Sequence, residues 1–139
     1  MIRKVPVSTI MTHSVICLKK DDNLEDAKYL LKIHHVRHIP IVSGKSIIGM
    51  LSKTDLQRIG LWNDDGVVND SISTLVRTKT TIEEVMTKKL TSVSSSTSVK
   101  KVAEIFAKEE FHALPIVDNN ILIGIVTTTD LINFLLRQF

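Results

Sequence analysis

Two short segments of this 139-residue chain combine a hydroxyl residue with a carboxylate three positions later. Ser52 is followed by Asp55, and Thr127 is followed by Asp130, in each case directly after an apolar run. One interpretation is a capping box, in which the hydroxyl and the acid satisfy free N–H groups at a helix start. The other is a ribose phosphate site, because a helix start and a hydroxyl suit a phosphate and a carboxylate can accept both ribose hydroxyls. The residues alone leave both interpretations open.

The two segments are equivalent positions of an internal repeat. Residues 9–56 align without a gap with residues 84–131, so that each position corresponds to the one 75 further on. The repeat implies two copies of one supersecondary unit, and therefore two equivalent candidate sites. The identical pairs include Met11 with Met86, Pro40 with Pro115, Gly49 with Gly124, and Asp55 with Asp130.

Hydrophobic spacing and turn residues predict the same order of elements in both copies. A strand comes first, then a capped helix, then a hairpin that begins at Pro40 or Pro115, and finally a helix near Asp55 or Asp130. The predicted fold class is α/β (α+β), built from two β-α-β-β-α repeats. The predicted first strands are residues 15–18 and 90–93. The predicted apolar helix faces consist of Leu24, Ala27, Leu30 and Leu31 in the first copy and of Val99, Val102, Ala103 and Phe106 in the second.

The predicted organisation is a first repeat at residues 1–60, a connection at 61–80 and a second repeat at 81–139. The connection is expected to carry a short amphipathic lead-in at residues 72–76. The last helix carries an apolar arc that is too wide for one buried face, which predicts a second apolar contact.

In these features the chain resembles a tandem pair of cystathionine β-synthase (CBS) domains, of the stand-alone kind. The matching motifs are Met-Thr before the first strand, the apolar-x-x-apolar-Pro-apolar-Val runs and the Gly-apolar-apolar-Ser/Thr-x-x-Asp segments, in the same order in both copies. The resemblance covers nearly the whole chain. It implies a pseudo-twofold module with two clefts between the copies, which bind adenosine-containing ligands such as AMP, ADP, ATP or S-adenosylmethionine. It also implies a disc-shaped homodimer.

The resemblance also implies roles for individual residues. The ribose acid maps onto Asp55 and Asp130, and the phosphate-side hydroxyl maps onto Ser52 and Thr127. Adenine is expected against apolar and backbone groups near the first strand and the residue before each proline. The implied ligand-binding residues are Val15, Ile16, His38, Ile39, Pro40, Ser52, Lys53 and Asp55 in the first copy, and Leu90, Thr91, Leu114, Pro115, Thr127, Thr128 and Asp130 in the second.

The two candidate sites differ in charge. Arg37, His38 and Lys53 stand where the second copy has His112, Ala113 and Thr128. We hypothesise that the first site favours a multiply charged phosphate and the second a less charged ligand. The alternative is that Arg37 and Lys53 are solvated surface charges, as such residues mostly are.

Other function classes have weaker support in the sequence. His34, His35 and His38 suggest a metal-ion sensor, but no Cys or acid completes a ligand set beside them. Cys17 lies in an apolar run and reads as a buried structural thiol. There is no paired-carboxylate, nucleophile–base or Walker-type motif, so neither catalytic nor metal residues are assigned and an enzyme is not expected.

The bulk properties are those of an ordinary globular chain, and the single cysteine fits a reducing cytoplasm. The net charge is +3 with scattered lysines, which argues against nucleic acid, and no signal peptide or membrane span is apparent. The predicted function is regulation in trans of an unidentified effector protein by an adenosine ligand that is not a catalytic cofactor. The main alternative is a constitutive dimerisation or scaffold module with vestigial clefts.

Overall fold

A computed structural model describes residues 4–62 and 80–139. The chain divides into two compact units, which we call the first unit, Ile16–Leu90, and the second unit, Met1–Val15 with Thr91–Phe139. The amphipathic lead-in predicted at residues 72–76 lies outside the described residues. The sequence repeats and the compact units therefore have different limits.

The first unit contains a three-stranded mixed sheet. Its described elements are β1 (Leu18–Lys19), α1 (Leu24–Ile33), β2 (His38–Ser43), β3 (Ser46–Ser52), α2 (Lys53–Arg58) and α3 (Ile82–Val85). The strand order is β1-β2-β3. Leu18 pairs with Ile41 in the parallel ladder, and His38 pairs with Ser52 in the antiparallel hairpin.

The second unit repeats this arrangement with a shorter sheet. Its described elements are a 3-10 helix (Val7–Thr9), α4 (Val99–Lys108), β4 (Ala113–Asp118), β5 (Ile121–Thr127) and α5 (Thr128–Leu136). Strands β4 and β5 pair antiparallel, with Ala113 opposite Thr127. A single parallel bridge joins Val93 to Ile116, at the position equivalent to Leu18 and Ile41.

The first strand of each copy is shorter than predicted. The strand predicted at residues 15–18 is observed as Leu18–Lys19, and the one predicted at 90–93 is reduced to the bridge at Val93. In the first copy the N–H of Lys19 donates to Asp22 Oδ2 at 2.8 Å, which turns the chain towards α1 at once. In the second copy the N–H of Ser94 donates to Thr97 Oγ1 at 3.2 Å and ends the extended run in the same way.

The two predicted amphipathic helices are confirmed. Asn23 caps α1 by accepting from the N–H of Asp26 at 2.8 Å, and Ser98 caps α4 by accepting from Lys101 at 3.1 Å. Each helix turns its predicted apolar face inward. The buried members of those faces are Leu24, Ala27, Leu31, Val99 and Val102.

The two predicted hairpins are also confirmed, although their first strands begin at His38 and Ala113, two residues before the predicted starts at Pro40 and Pro115. Asn119 and Asn120 both have positive φ, 51° and 65°, as a tight type I′ turn requires. The first hairpin turns at Gly44, whose φ is 64°. Each hairpin has a bulge at the same repeat position, between Ile41 and Val42 and between Ile116 and Val117.

Residues 7–12 and 82–87, which we call the lead-in segments, come before the first strand of each repeat. Each of them packs on the hairpin of the other repeat. Thr12 exchanges two backbone hydrogen bonds with Ile125, at 2.8 and 3.1 Å, within the second unit. Thr87 does the same with Met50, at 3.0 and 2.9 Å, within the first unit. Each unit also has its own cluster of buried apolar residues, to which these segments contribute Ile82 and Met86 in the first unit and Val7, Ile10 and Met11 in the second.

Candidate functional site

Each hydroxyl–carboxylate pair forms a capping box at a helix start. Asp55 N–H donates to Ser52 Oγ at 3.1 Å, while Ser52 N–H donates to Asp55 Oδ2 at 2.9 Å. The same two bonds join Thr127 and Asp130, again at 3.1 and 2.9 Å. The capping-box interpretation is therefore confirmed in both repeats. The ribose phosphate interpretation depends on what these side chains can still bind.

The hairpin fixes the position of each pair. Ser52 and Thr127 are the last residues of β3 and β5, opposite the first residues of β2 and β4. The first residue of each helix is also bonded to the backbone just before the hairpin. Lys53 N–H donates to Arg37 O, and Thr128 N–H donates to His112 O, both at 3.0 Å. The strand end and the first turn of the helix are thus tied to the entry of the hairpin.

Both hydroxyl groups retain a donor for a ligand. Ser52 Oγ and Thr127 Oγ1 act as acceptors in the capping boxes, so their O–H hydrogens are not used by those bonds. Within the described part of the chain, neither hydroxyl has an acceptor for its hydrogen. An anionic oxygen placed at the helix start can therefore accept from Ser52 or Thr127 without breaking the cap.

The two carboxylates are not equally available. Asp55 is 4% exposed, and Arg58 Nη1 lies 3.2 Å from its Oδ1. Both oxygens of Asp55 thus already accept a hydrogen bond. Asp130 is only half-buried, and among the described residues no side chain donates to its Oδ1. The repeat position of Arg58 is occupied by Asn133.

Arg58 was not among the residues that sequence reasoning assigned to the site. The signal was present, because an arginine three positions after an acid on a helix lies on the same face. Arg58 distinguishes the two repeats, because the acid is the same at Asp55 and Asp130 while the residue three positions later is arginine in one and asparagine in the other.

Lys53 has a neighbour that its counterpart Thr128 lacks. Its Nζ lies 5.1 Å from the centroid of the Trp62 ring, which is a cation–π distance. Trp62 packs at the edge of the first unit's apolar cluster. Lys53 is half-buried, whereas Arg37 is exposed. The surface-charge alternative thus describes Arg37 better than Lys53.

The residues expected near adenine are mostly buried. Ile39 and Leu114 are fully buried in the clusters of their units, and Pro40 and Pro115 are buried as well. His38 and Ile16 are half-buried in the first unit, and Thr91 is exposed in the second. Val15 and Leu90 belong to the unit opposite to that of the other residues in their predicted sets. At Ile39 and Leu114, therefore, only the backbone groups can contact a ligand without unpacking the core.

The histidines at the end of α1 do not form a metal cluster in the described ranges. His34 and His35 are exposed, and His35 has a positive φ of 53° where the helix ends. The ranges 4–62 and 80–139 hold no group of three or more His, Cys, Asp or Glu side chains that could bind a metal ion. Cys17 is half-buried, and this burial raises the pKa of its thiol. None of the described helices is long and apolar enough to cross a bilayer.

The fold and the paired capping boxes define a tandem pair of one small domain. The chain belongs to the CBS domain family, whose model matches residues 7–61 and again residues 82–137. The sequence-based family assignment and the two-repeat α/β fold are therefore confirmed.

Two relatives match most of this chain in sequence. The CBS domain-containing protein YhcV of Bacillus subtilis is 31% identical over 126 residues, which cover 90% of this chain and 81% of YhcV. The uncharacterized protein MJ1225 of Methanocaldococcus jannaschii is 29% identical over 131 residues, which cover 92% of this chain. The chain spans about half of MJ1225, since the match covers 46% of that protein.

Solved structures share the fold over nearly the whole chain. A putative acetoin utilization protein, AcuB, from Vibrio cholerae superposes with a TM-score of 0.81 at 28% identity, covering 98% of this chain and 93% of AcuB. The CBS domain pair of protein MJ0100, solved with 5-methylthioadenosine and S-adenosyl-L-methionine, gives 0.80 at 23% identity over 99% and 100% of the two chains. CBSX2, solved with AMP, gives 0.79 at 24% identity over 96% and 98%.

Proposed function

We propose that this CBS pair is a regulatory module that binds an adenosine-containing ligand. The observation that carries the proposal is the duplicated capping box with an unused hydroxyl donor, at Ser52 and at Thr127, beside a carboxylate. A donor for phosphate and an acceptor for ribose, held one helical turn apart, match the sugar phosphate that all adenine nucleotides share.

The roles of the site residues follow from their chemistry. The Ser52 and Thr127 hydroxyls donate to a phosphate oxygen, and the carboxylates of Asp55 and Asp130 accept from ribose hydroxyls. The adenine contacts backbone groups near Ile39 and Leu114, since their side chains are buried. The AMP in the CBSX2 structure supports both the adenosine and the phosphate part of this proposal. The 5-methylthioadenosine and S-adenosyl-L-methionine in the MJ0100 structure carry no phosphate and support the adenosine part.

The proposed mechanism is a population shift rather than catalysis. A ligand that binds one arrangement of the module more tightly than another shifts the population towards it, by as much as the two affinities differ. A partner protein then recognises the favoured arrangement. The exposed apolar residues of α5 are proposed as the contact between two copies of the chain in a homodimer.

A thermal-shift panel tests the ligand class. The ligands are adenosine, AMP, ADP, ATP with and without magnesium, GTP, S-adenosylmethionine and zinc. A ligand at about 100 times its Kd stabilises the folded state by roughly 2.7 kcal/mol, which is a shift of several degrees for a chain of this size. We expect shifts with adenosine ligands that Asp55→Asn and Asp130→Asn reduce, and that the exposed α4 variant Glu104→Gln leaves intact. A shift with zinc alone would favour a metal-ion sensor.

A scaffold function is the second candidate, and one observation favours it. Asp55 is buried and both of its oxygens are occupied, so that at least the first site resembles a structural cap. A scaffold module remains dimeric and shows no thermal shift with any nucleotide. A nucleotide shift that depends on Asp130 rules the scaffold function out as the sole role.

A further inference from the structure

The two candidate sites share their caps but differ in what lies against the acid. Arg58 Nη1 is 3.2 Å from Asp55 Oδ1, and no equivalent donor stands at Asn133. We infer that Arg58 sets the order in which the two sites fill. Its ion pair with Asp55 competes with a ribose for that carboxylate, so that an adenosine ligand occupies the Asp130 site first. The inference rests on the proposed function, because it concerns the order in which the same ligand fills the two sites.

At Asp55 both carboxylate oxygens already accept a hydrogen bond from the protein, and the side chain is almost fully buried. Oδ2 accepts from the N–H of Ser52 at 2.9 Å, and Oδ1 accepts from Arg58. The side chain of Asp55 is 5% exposed, so a ribose hydroxyl reaches Oδ1 only after the guanidinium has moved away. Binding at this site therefore exchanges one charge-assisted hydrogen bond for another instead of adding a new one.

The geometry at Asp130 is open by comparison. Its Oδ2 accepts from the N–H of Thr127 at 2.9 Å, which preserves the cap, and the structure gives Oδ1 no donor within residues 4–62 and 80–139. Asn133 carries no charge, and its side chain is shorter than that of arginine. A ribose hydroxyl donating to Oδ1 of Asp130 adds a hydrogen bond without displacing a protein group.

The closure at Asp55 is reversible because Arg58 is largely in solvent. The arginine side chain is 67% exposed, and ion pairs of this kind are weak. We therefore expect Arg58 to lower the affinity of the first site by roughly two- to fivefold, and not to abolish binding there. Such a difference gives the module two responses, one at low and one at higher ligand concentration.

The test uses AMP in calorimetric titrations, with each site studied alone. Asp130→Asn leaves the first site, and Asp55→Asn leaves the second; asparagine retains an acceptor oxygen for the cap. In the Asp130→Asn background we expect Arg58→Asn to tighten AMP binding by roughly two- to fivefold, and Arg58→Lys to tighten it less. In the Asp55→Asn background we expect the reciprocal Asn133→Arg to weaken AMP binding by a similar factor.

Each outcome decides the matter. Tighter binding in Arg58→Asn, together with weaker binding in Asn133→Arg, supports the inference. If AMP binds but Arg58→Asn weakens or does not change the first site, Arg58 is a ligand contact or a bystander and the inference fails while the proposed function stands. If neither the wild type nor any variant binds AMP or another adenosine ligand, the inference and the proposed function both fail. Circular dichroism melting of each variant shows that it is folded, which is expected because residues 58 and 133 are exposed.

Discussion

The side chain of Met86 lies directly over Gly49, in the space that a Cβ at residue 49 would fill. Met11 lies over Gly124 in the same way, with its sulfur 2.7 Å from the position of that missing Cβ. Both methionines belong to the lead-in segment of the opposite repeat. Glycine is needed at these two positions because a neighbouring chain segment approaches closely, and not because of its backbone freedom.

The two glycines should respond differently to a paired substitution. Gly49→Ala and Gly124→Ala each overfill a packed contact and should lower the free energy of unfolding by about 1–3 kcal/mol. At Gly49 the three nearest atoms all belong to the Met86 side chain, whereas at Gly124 the backbone oxygen of Thr12 is also 2.9 Å away. We therefore expect Met86→Ala to relieve part of the Gly49→Ala defect, while Met11→Ala relieves less of the Gly124→Ala defect. Urea unfolding in two double-mutant cycles measures this, and equal coupling in both cycles would contradict it.

Asp118 should make a pH-dependent contribution to stability. Its carboxylate accepts from Ser95 Oγ at 2.5 Å and from the Ser95 N–H at 3.0 Å, and these bonds hold its pKa below the usual value. A depressed pKa stabilises the fold above the unfolded value of about 3.9, and the stabilisation is lost as the pH falls through the folded pKa. The stability difference between wild type and Asp118→Asn should therefore shrink between about pH 5 and pH 2.

Chemical unfolding at several pH values checks the Asp118 prediction. Ser95→Ala serves as a matched variant, because it removes the hydroxyl donor but keeps the acid. Its stability difference from wild type should also shrink at low pH. A difference that is independent of pH for both variants would show that the two bonds do not bias the ionisation of Asp118.

Lys53 should distinguish a nucleotide from a nucleoside. It is half-buried beside Ser52, and its charge can attract a phosphate even though its Nζ also lies over Trp62. Lys53→Thr copies the residue of the second repeat, and we expect it to weaken AMP binding at the first site by roughly three- to tenfold while adenosine binding is unchanged. The exposed hairpin variant Lys45→Thr is the control. Equal losses for AMP and adenosine would mean that Lys53 acts through the structure and not through charge.

The apolar residues of α5 should support self-association. In α5, Ile132, Leu135 and Leu136 are 55%, 45% and 65% exposed, and Phe139, just after the helix, is 101% exposed. The predicted wide apolar arc is therefore confirmed, and only part of it is buried. We expect a dimer at micromolar concentration in light scattering, and a monomer for the double variant Ile132→Lys/Leu136→Glu. Ile121→Lys alters an exposed apolar residue of the second hairpin and should leave the dimer intact. A monomeric wild type would overturn the homodimer proposal.

Local patterns in the sequence predict most of the elements of this fold. The helix faces of α1 and α4, the hairpins that begin near Pro40 and Pro115, and the caps at Ser52 and Thr127 all depend on interactions within a few residues. Such interactions repeat whenever the residues repeat, so the internal repeat predicted them twice. The predicted first strands were too long at their N-terminal ends, because only Leu18–Lys19 and Val93 pair with a strand of the hairpin.

The remaining features depend on which segments meet. The spacing around Met11 and Met86 does not indicate on which hairpin each lead-in segment packs, because these contacts join residues that are far apart in the sequence. The role of Arg58 was missed for a related reason. The sequence indicates only a solvated charge at Arg58, because the burial of the Asp55 carboxylate beside it is a property of the folded unit.

Equilibrium dialysis with radiolabelled AMP tests directly whether the two capping boxes bind an adenosine ligand. The wild type is compared with Asp55→Asn/Asp130→Asn and with the control Glu104→Gln. We predict saturable binding of AMP by the wild type and by the control, with more than a tenfold loss of affinity in the double variant, since each site loses its ribose acceptor. Absence of binding by folded wild-type protein, or equal binding by the double variant, would contradict the assignment of the adenosine site to the two capping boxes.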